Sequence, residues 1–270
     1  PDFIEKISNQ NIRSITSAEL LIVSHSAFLS EAERLAEFRR THDGLDVKVV
    51  TTDQVYNEFS SGSVDFTAIR DFARHVYKQG GLKHLLLFGK GTYDLKDVFN
   101  KQLNIVPTYE SRNSLHPLLT YSSDDYFGLL EDDEGEWVET NAGDETLDIG
   151  VGRLPVKTIE EAKGVVDKLI HYGKNPYLGK WKNKIVFVAD DGDFNIHQSQ
   201  AHYLANFVDT AFSSFETKRF FLDNFKQEAE PSGEKSKAAK KGINDFIDQG
   251  ALIVNYTGHG GESGWTQEAI

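Results

Sequence analysis

Short apolar runs alternate along this chain with stretches whose apolar positions recur every three or four residues. Leu20-Leu21-Ile22-Val23-Ser24 and Val47-Lys48-Val49-Val50-Thr51 read as strands. Leu85-Leu86-Leu87-Phe88 is apolar throughout, as in a parallel strand covered on both faces, and runs into Gly89-Lys90-Gly91. Ser30 and Glu33 form the capping-box pattern S-x-x-E ahead of a helix expected to run through Phe38. Ala68, Ile69, Phe72, Ala73 and Val76 share one face of a further helix. A strand is expected over Leu147 to Val151, leading into Gly152-Arg153-Leu154-Pro155. A second box, Thr158 to Glu161, opens a helix burying Ala162, Val165, Val166, Leu169 and Ile170.

Beyond a connection marked by Pro176 and Gly179 the pattern repeats in kind. Ile185 to Ala189 is a strand ending in Asp190-Asp191-Gly192-Asp193. Ala201, Leu204, Ala205, Val208, Ala211 and Phe212 have helical spacing, and Lys218 to Leu222 is a strand. The polar stretch from Gln227 to Lys241 opens into a helix burying Ile243, Phe246 and Ile247. The last strand, Ala251 to Tyr256, runs into Thr257-Gly258-His259-Gly260-Gly261-Glu262. Strands alternating with helices predict an α/β fold, with a mostly parallel sheet and helices on both faces. The connection near Pro176 divides it into two side-by-side units. Regularity fades only from Asn100 to Glu145, where Tyr109, Tyr121, Tyr126, Phe127 and Trp137 argue for an ordered long loop.

At 270 residues and 39% hydrophobic, the chain can bury a substantial core. The net charge of −13 argues against a nucleic-acid partner and suits hard cations such as Ca²⁺. The absence of cysteine rules out disulfides and thiolate-bound zinc. The chain starts at Pro1 and has no Met, so an internal piece of a longer protein is expected. No apolar run reaches the length of a membrane span, and no signal peptide is legible.

Ligands of open parallel sheets bind at the carboxyl ends of strands, and three such places carry chemistry. His259 stands between glycines after the last strand; it is either a turn residue or a general base flanked by backbone N–H groups able to hold an oxyanion. Asp148, in an apolar strand, is either an edge residue paired with Arg153 or the carboxylate that orients a histidine. Asp190, Asp191 and Asp193 are either a solvated acidic turn or a Mg²⁺ or Ca²⁺ site. Their Asp-x-Asp pattern resembles phosphatases of the haloacid dehalogenase type, but Asn195 stands where those have Thr. The acidic group Asp124, Asp125, Glu131 to Glu134 lacks EF-hand spacing.

Longer runs bring these pieces together. Asn255-Tyr256-Thr257-Gly258-His259-Gly260, followed by Trp265, closely resembles the histidine motif of the gingipain family of cysteine peptidases, peptidase family C25. Asp148, four residues before Gly152, matches the place of that family's acidic residue, and Ser123 to Gly128 resembles its substrate-side loop. Tyr56 to Gly62, Asp65 to Arg70, Val106 to Ser111 and Val188 to Asp191 are similar to one branch, the sortase of the type IX secretion system. The resemblance covers the chain from about Leu20 to its end. It implies a caspase-like α/β/α sandwich of two side-by-side subdomains, here over residues 18–176 and 177–270 after a lead-in of residues 1–17.

It also implies roles. His259 acts as base and acid, Asp148 orients it, and the Gly260 N–H meets the oxyanion; Trp265, Asp125 and Tyr126 lie on the substrate side. No cofactor is required for the chemistry, and structural Ca²⁺ is compatible with the family. The implied substrates are polypeptides carrying the C-terminal signal domains of secreted proteins. Anionic lipopolysaccharide is an implied acceptor, other type IX components are implied partners, and the place is the cell surface of a Gram-negative bacterium. The family's nucleophilic cysteine follows its histidine by a few tens of residues, so these 270 residues are expected to stop short of it and to be inactive alone. Two other readings stand beside this one: a metal-dependent phosphohydrolase using Asp190 to Asp193, and a non-catalytic binding domain.

Overall fold

The computed structural model describes residues 9–96, 98, 104–111, 121–132, 134, 146–174, 179–230, 233–261 and 264–266. Trp137, Pro176 and Glu262 lie outside the described residues. The chain forms two units, Pro1–Asn175 and Pro176–Ile270.

In the first unit, β1 (Leu20–Ser24), β2 (Val47–Thr51), β3 (His84–Phe88) and β6 (Gly150–Leu154) form an all-parallel sheet in the order β2-β1-β3-β6. Helices cover both faces, which is why β1 and β3 are apolar almost end to end. One face packs on α1 (Leu29–His42) and α4 (Ile159–Lys174) through Ile22, Ala32, Leu35, Phe88, Ala162 and Val166. The other packs on α2 (Thr52–Phe59) and α3 (Phe66–Gln79) through Leu21, Val23, Val55, Phe72 and Leu87. Between β3 and β6 the chain makes a short antiparallel ladder, β4 (Tyr109–Glu110) with β5 (Ser122–Ser123).

The second unit repeats the layering with three parallel strands, β7 (Lys184–Ala189), β8 (Glu216–Phe221) and β11 (Ile253–Thr257), in the order β11-β7-β8. Helix α5 (Ile196–Ala211) packs on one face through Ala201 and Ala205, and α6 (Lys237–Asp248) on the other through Ile243. A small hairpin, β9 (Glu228–Glu230) and β10 (Gly233–Lys235), precedes α6. A second, β12 (Gly260–Gly261) and β13 (Gly264–Trp265), follows β11. Among the described residues no helix is long and apolar enough to cross a membrane.

Several local expectations are corrected. α1 is capped by neither Ser30 nor Glu33; it starts at Leu29 straight out of a 3₁₀ turn, Ser26–Phe28, in which Ala27 N–H donates to His25 Nδ1. The reciprocal box is instead at Thr51 and Gln54, opening α2. β6 starts at Gly150, so Asp148 precedes the strand and Gly152-Arg153 lies inside it. Leu204, Phe212 and Ile247 have helical spacing but are exposed: Leu204 and Ile247 lie off the stripe their helices turn to the sheet, and Phe212 follows the end of α5 at Ala211.

Candidate functional site

Chain direction fixes where chemistry can gather in the second unit. From β7 the chain passes through α5 to β8 on one side, then through α6 to β11 on the other. β7 and β11 are adjacent and parallel, so the segments leaving their carboxyl ends lie side by side, at the end of an open α/β sheet where ligands bind. Asp190 follows β7 directly, and His259 comes two residues after β11.

Asp190 ties the two ends together. It is 3% exposed; its N–H donates to Thr257 O (3.1 Å), while its carboxylate accepts from Gly192 N–H (3.2 Å) and His259 N–H (3.2 Å). Burial of a carboxylate is costly without such donors. Gly258 is required by the same closeness. A Cβ there would stand 2.4 Å from Asp190 Cβ and 2.5 Å from the Tyr256 hydroxyl oxygen, so only glycine lets the turn lie on Asp190. Tyr256 OH donates to His259 O, and its ring stacks on Trp265 with centroids 4.6 Å apart and planes at 10°.

The histidine side chain meets a different carboxylate. His259 Nε2 lies 2.6 Å from Asp193 Oδ2. Asp193, Phe194 and Asn195 have φ of 52°, 57° and 61°, three consecutive left-handed non-glycine residues. Asp and Asn tolerate such backbone, but for Phe194 it costs roughly 1–2 kcal/mol, and strain of this kind is concentrated at functional sites. The hydrogen bond and charge of Asp193 raise the His259 imidazole above its ordinary pKa, and His259 in turn lowers the Asp193 carboxyl. His197, one turn further along at i+4 from Asp193, brings Nε2 to 3.4 Å from the same Oδ2. That contact is within ion-pair distance but outside hydrogen-bond geometry, and among the described residues this buried nitrogen has no hydrogen-bond partner. The His197 and His259 rings are perpendicular, 5.1 Å between centroids.

Gly260 stands opposite Trp265, and Thr266 N–H donates to His259 O (2.8 Å). That bond brackets a non-hydrogen-bonded pair, which turns the Gly260 N–H away from the partner strand. Beside the site, Ile196, Ser199, Gln200, Tyr203, Leu204 and Thr257 line a cleft of about 520 Å³.

The other expected site residues are placed as follows. Asp148 sits two residues ahead of β6, at the amino rather than the carboxyl end of the first sheet. Its carboxylate accepts from Leu130 N–H (2.7 Å) and Tyr77 OH (3.2 Å), both in its own unit. Tyr126, expected on the substrate side, is a core residue: it is 5% exposed, stacked on Tyr109 and edge-on to Phe66 and Phe127. Asp125 is exposed at the start of the 3₁₀ turn Asp125–Gly128. The three aspartates expected to share a cation do not converge. Asp190 is committed to backbone N–H groups, and Asp191 accepts from Gln227 Nε2. Only Asp193 belongs to a group of ligating atoms within 4.8 Å of one another, and its partners are His197 and His259. His197 was missed at the sequence level, although the D-x-x-x-H spacing at a helix start was there to be read.

The chain matches the model of peptidase family C25 over residues 13–270. The crystal structure of dimeric latent PorU from Porphyromonas gingivalis is similar at 38% identity and a TM-score of 0.52, over 62% of this chain and 16% of that one. A structure described only as a protease is similar at 16% identity and a TM-score of 0.61, over 93% of this chain and 47% of that one, a likeness of fold. This chain thus spans a small part of PorU and under half of the protease. No curated protein matches. The fold is accordingly the caspase-like α/β/α arrangement, the gingipain-type and PorU-like resemblance holds, and with 258 of its 270 residues matched (residues 13 to 270) the chain belongs to peptidase family C25, a family of cysteine peptidases.

Proposed function

We propose that this chain supplies the general base of a cysteine peptidase site, with His259 as the proton carrier and Asp193 as the group that orients it. The single observation that carries the reading is the 2.6 Å contact between His259 Nε2 and Asp193 Oδ2, beyond the carboxyl ends of β11 and β7. A carboxylate on Nε2 leaves Nδ1 to exchange a proton with a thiol, and it stabilises the imidazolium that forms when the thiol ionises. The thiolate then attacks the peptide carbonyl, and His259 returns the proton to the leaving amine, giving an acyl-enzyme. The Gly260 N–H, turned off its ladder, is the donor for the oxyanion. Trp265, stacked on Tyr256, holds the loop and borders the substrate side. The chain contains no cysteine, so the thiol comes from outside these 270 residues.

The family resemblance pointed to Asp148 for the orienting role. The geometry favours Asp193, because both contacts of the Asp148 carboxylate hold its own unit together. The finer reading follows from the likeness to the type IX sortase branch: removal of C-terminal signal domains from secreted cargo at the cell surface, with transfer to an amine on anionic lipopolysaccharide. The test is turnover of a peptide spanning such a cleavage site. The 270-residue chain alone should be inactive, while the polypeptide that includes the nucleophile should turn over. In the latter, His259→Ala should lower kcat by about 10²–10⁴-fold. Asp193→Asn should act in the same direction and Asp148→Asn should not. Turnover by the 270-residue chain, or an Asp148→Asn loss with Asp193→Asn unaffected, would overturn these assignments.

A further inference from the structure

We propose that Asp193, His197 and His259 form a zinc site that reversibly blocks the catalytic base. As an inhibitory site it rests on the proposed role of His259; as a binding site it does not. The chemistry of the donor set comes first. Two imidazoles and one carboxylate suit zinc or a similar transition metal, whereas Ca²⁺ and Mg²⁺ take oxygen ligands. One further coordination position would remain for water.

The geometry is nearly in place. Tetrahedral zinc with bonds of about 2.0–2.1 Å holds its ligand atoms roughly 3.3 Å apart. His197 Nε2 and Asp193 Oδ2 are already 3.4 Å apart. His259 Nε2 is 2.6 Å from the same oxygen, and all three atoms fall within 4.8 Å of one another. Opening the shorter contact by about 0.7 Å, to the tetrahedral spacing, needs only side-chain rotation, since the His259 and Asp193 side chains are 63% and 60% exposed. His197 carries a second, independent sign. Its Nε2 is buried and, among the described residues, without a hydrogen bond, yet it faces Asp193. The ion-pair contact with Asp193 aims that nitrogen but leaves it short of a hydrogen bond, and a metal would satisfy it.

The consequence for the base follows from imidazole tautomerism. A neutral imidazole that gives its Nε2 lone pair to a metal carries its proton on Nδ1. Nδ1 then cannot accept a proton from the thiol. The same cation takes Asp193 away from stabilising an imidazolium. Zinc therefore holds the site in an inactive state without touching the nucleophile, and a chelator releases it.

Calorimetric titration of the 270-residue chain with ZnCl₂ alone tests binding. One saturable equivalent is expected, weakened at least about tenfold by His197→Ala and by Asp193→Asn, with unchanged circular dichroism. The imidazole resonances of His197 and His259 should shift together in NMR, and CaCl₂ should move neither. No saturable uptake, or uptake indifferent to His197→Ala with the fold intact, overturns the site. For the regulatory half, the polypeptide bearing the nucleophile is assayed with and without zinc, then with chelator. The ratio of the two rates should fall at least about tenfold less in His197→Ala than in the parent. An equal fall in both overturns the inhibitory role while binding stands. Absence of peptidase activity even with chelator counts against the proposed function instead.

Discussion

At the scale of single residues, placement decides what each charged group does. Asp190, Asp191 and Asp193 are near neighbours in sequence, yet one is a buried staple, one meets Gln227 and one holds the base. Asp193, the one that meets His259, opens the left-handed turn at 193–195. The His259 imidazole is held above its ordinary pKa and the Asp193 carboxyl below its own, each mainly by their mutual hydrogen bond. The stabilisation from the histidine is complete below its unfolded pKa and fades as pH rises through the raised folded value. That from the aspartate is complete above its unfolded pKa and is lost as pH falls through the lowered one. The pair is thus strongest between the two, and NMR titration of His259 should show a midpoint above the ordinary imidazole value that Asp193→Asn brings down. An unchanged midpoint in that variant would remove Asp193 from the site. Arg153 is a second case. Its side chain, 12% exposed, holds both oxygens of Asp124 and donates to Gly89 O, Val106 O and Pro107 O. Sequence placed it near Asp148, but its carboxylate partner is Asp124, because Arg153 lies inside β6 and Asp148 before it. Arg153→Met should cost about 3–5 kcal/mol in denaturant unfolding, since it leaves Asp124 without its cation; a loss under about 1 kcal/mol would show that water replaces the arginine.

At the scale of elements, the position of a strand in its sheet outweighs its composition. β7 and β11 read alike in sequence, both rich in Ile and Val. β7 has neighbours on both sides and is buried, whereas β11 pairs with β7 alone among the described residues, with Ile253 and Val254 49% and 40% exposed. An apolar run thus announces a strand without saying whether it is central or at an edge. Phe187→Ala in β7 should destabilise by about 3–5 kcal/mol. Val254→Ala in β11 should stay within about 0.5 kcal/mol. Chemical denaturation of the two variants checks the contrast, and comparable losses would mean that β11 is covered in solution.

At the scale of the whole molecule, the chain is two α/β/α units, each with its own pair of cores on the two faces of a parallel sheet. The first unit closes its four strands between two helical layers with apolar residues such as Phe72, Leu87 and Phe88 fully buried. A fragment of residues 1–175 should therefore unfold in one cooperative step on its own; a broad, probe-dependent transition would show that it relies on the second unit. The sequence by itself determined the strand–helix alternation, the α/β class, most helical faces and the glycine-flanked histidine motif, since these follow from hydrophobic period and local backbone chemistry. It also carried the family resemblance, through runs long enough to be specific. The three-dimensional fold was needed to show that Asp193 and His197, rather than Asp191, bring their side chains to the His259 imidazole. Those partners are 66 and 62 residues away in sequence (259 minus 193 and 259 minus 197), and they meet because β7 and β11 are neighbouring parallel strands whose carboxyl ends lie together. Periodicity records which face of an element is buried; it does not record which loops the topology brings together.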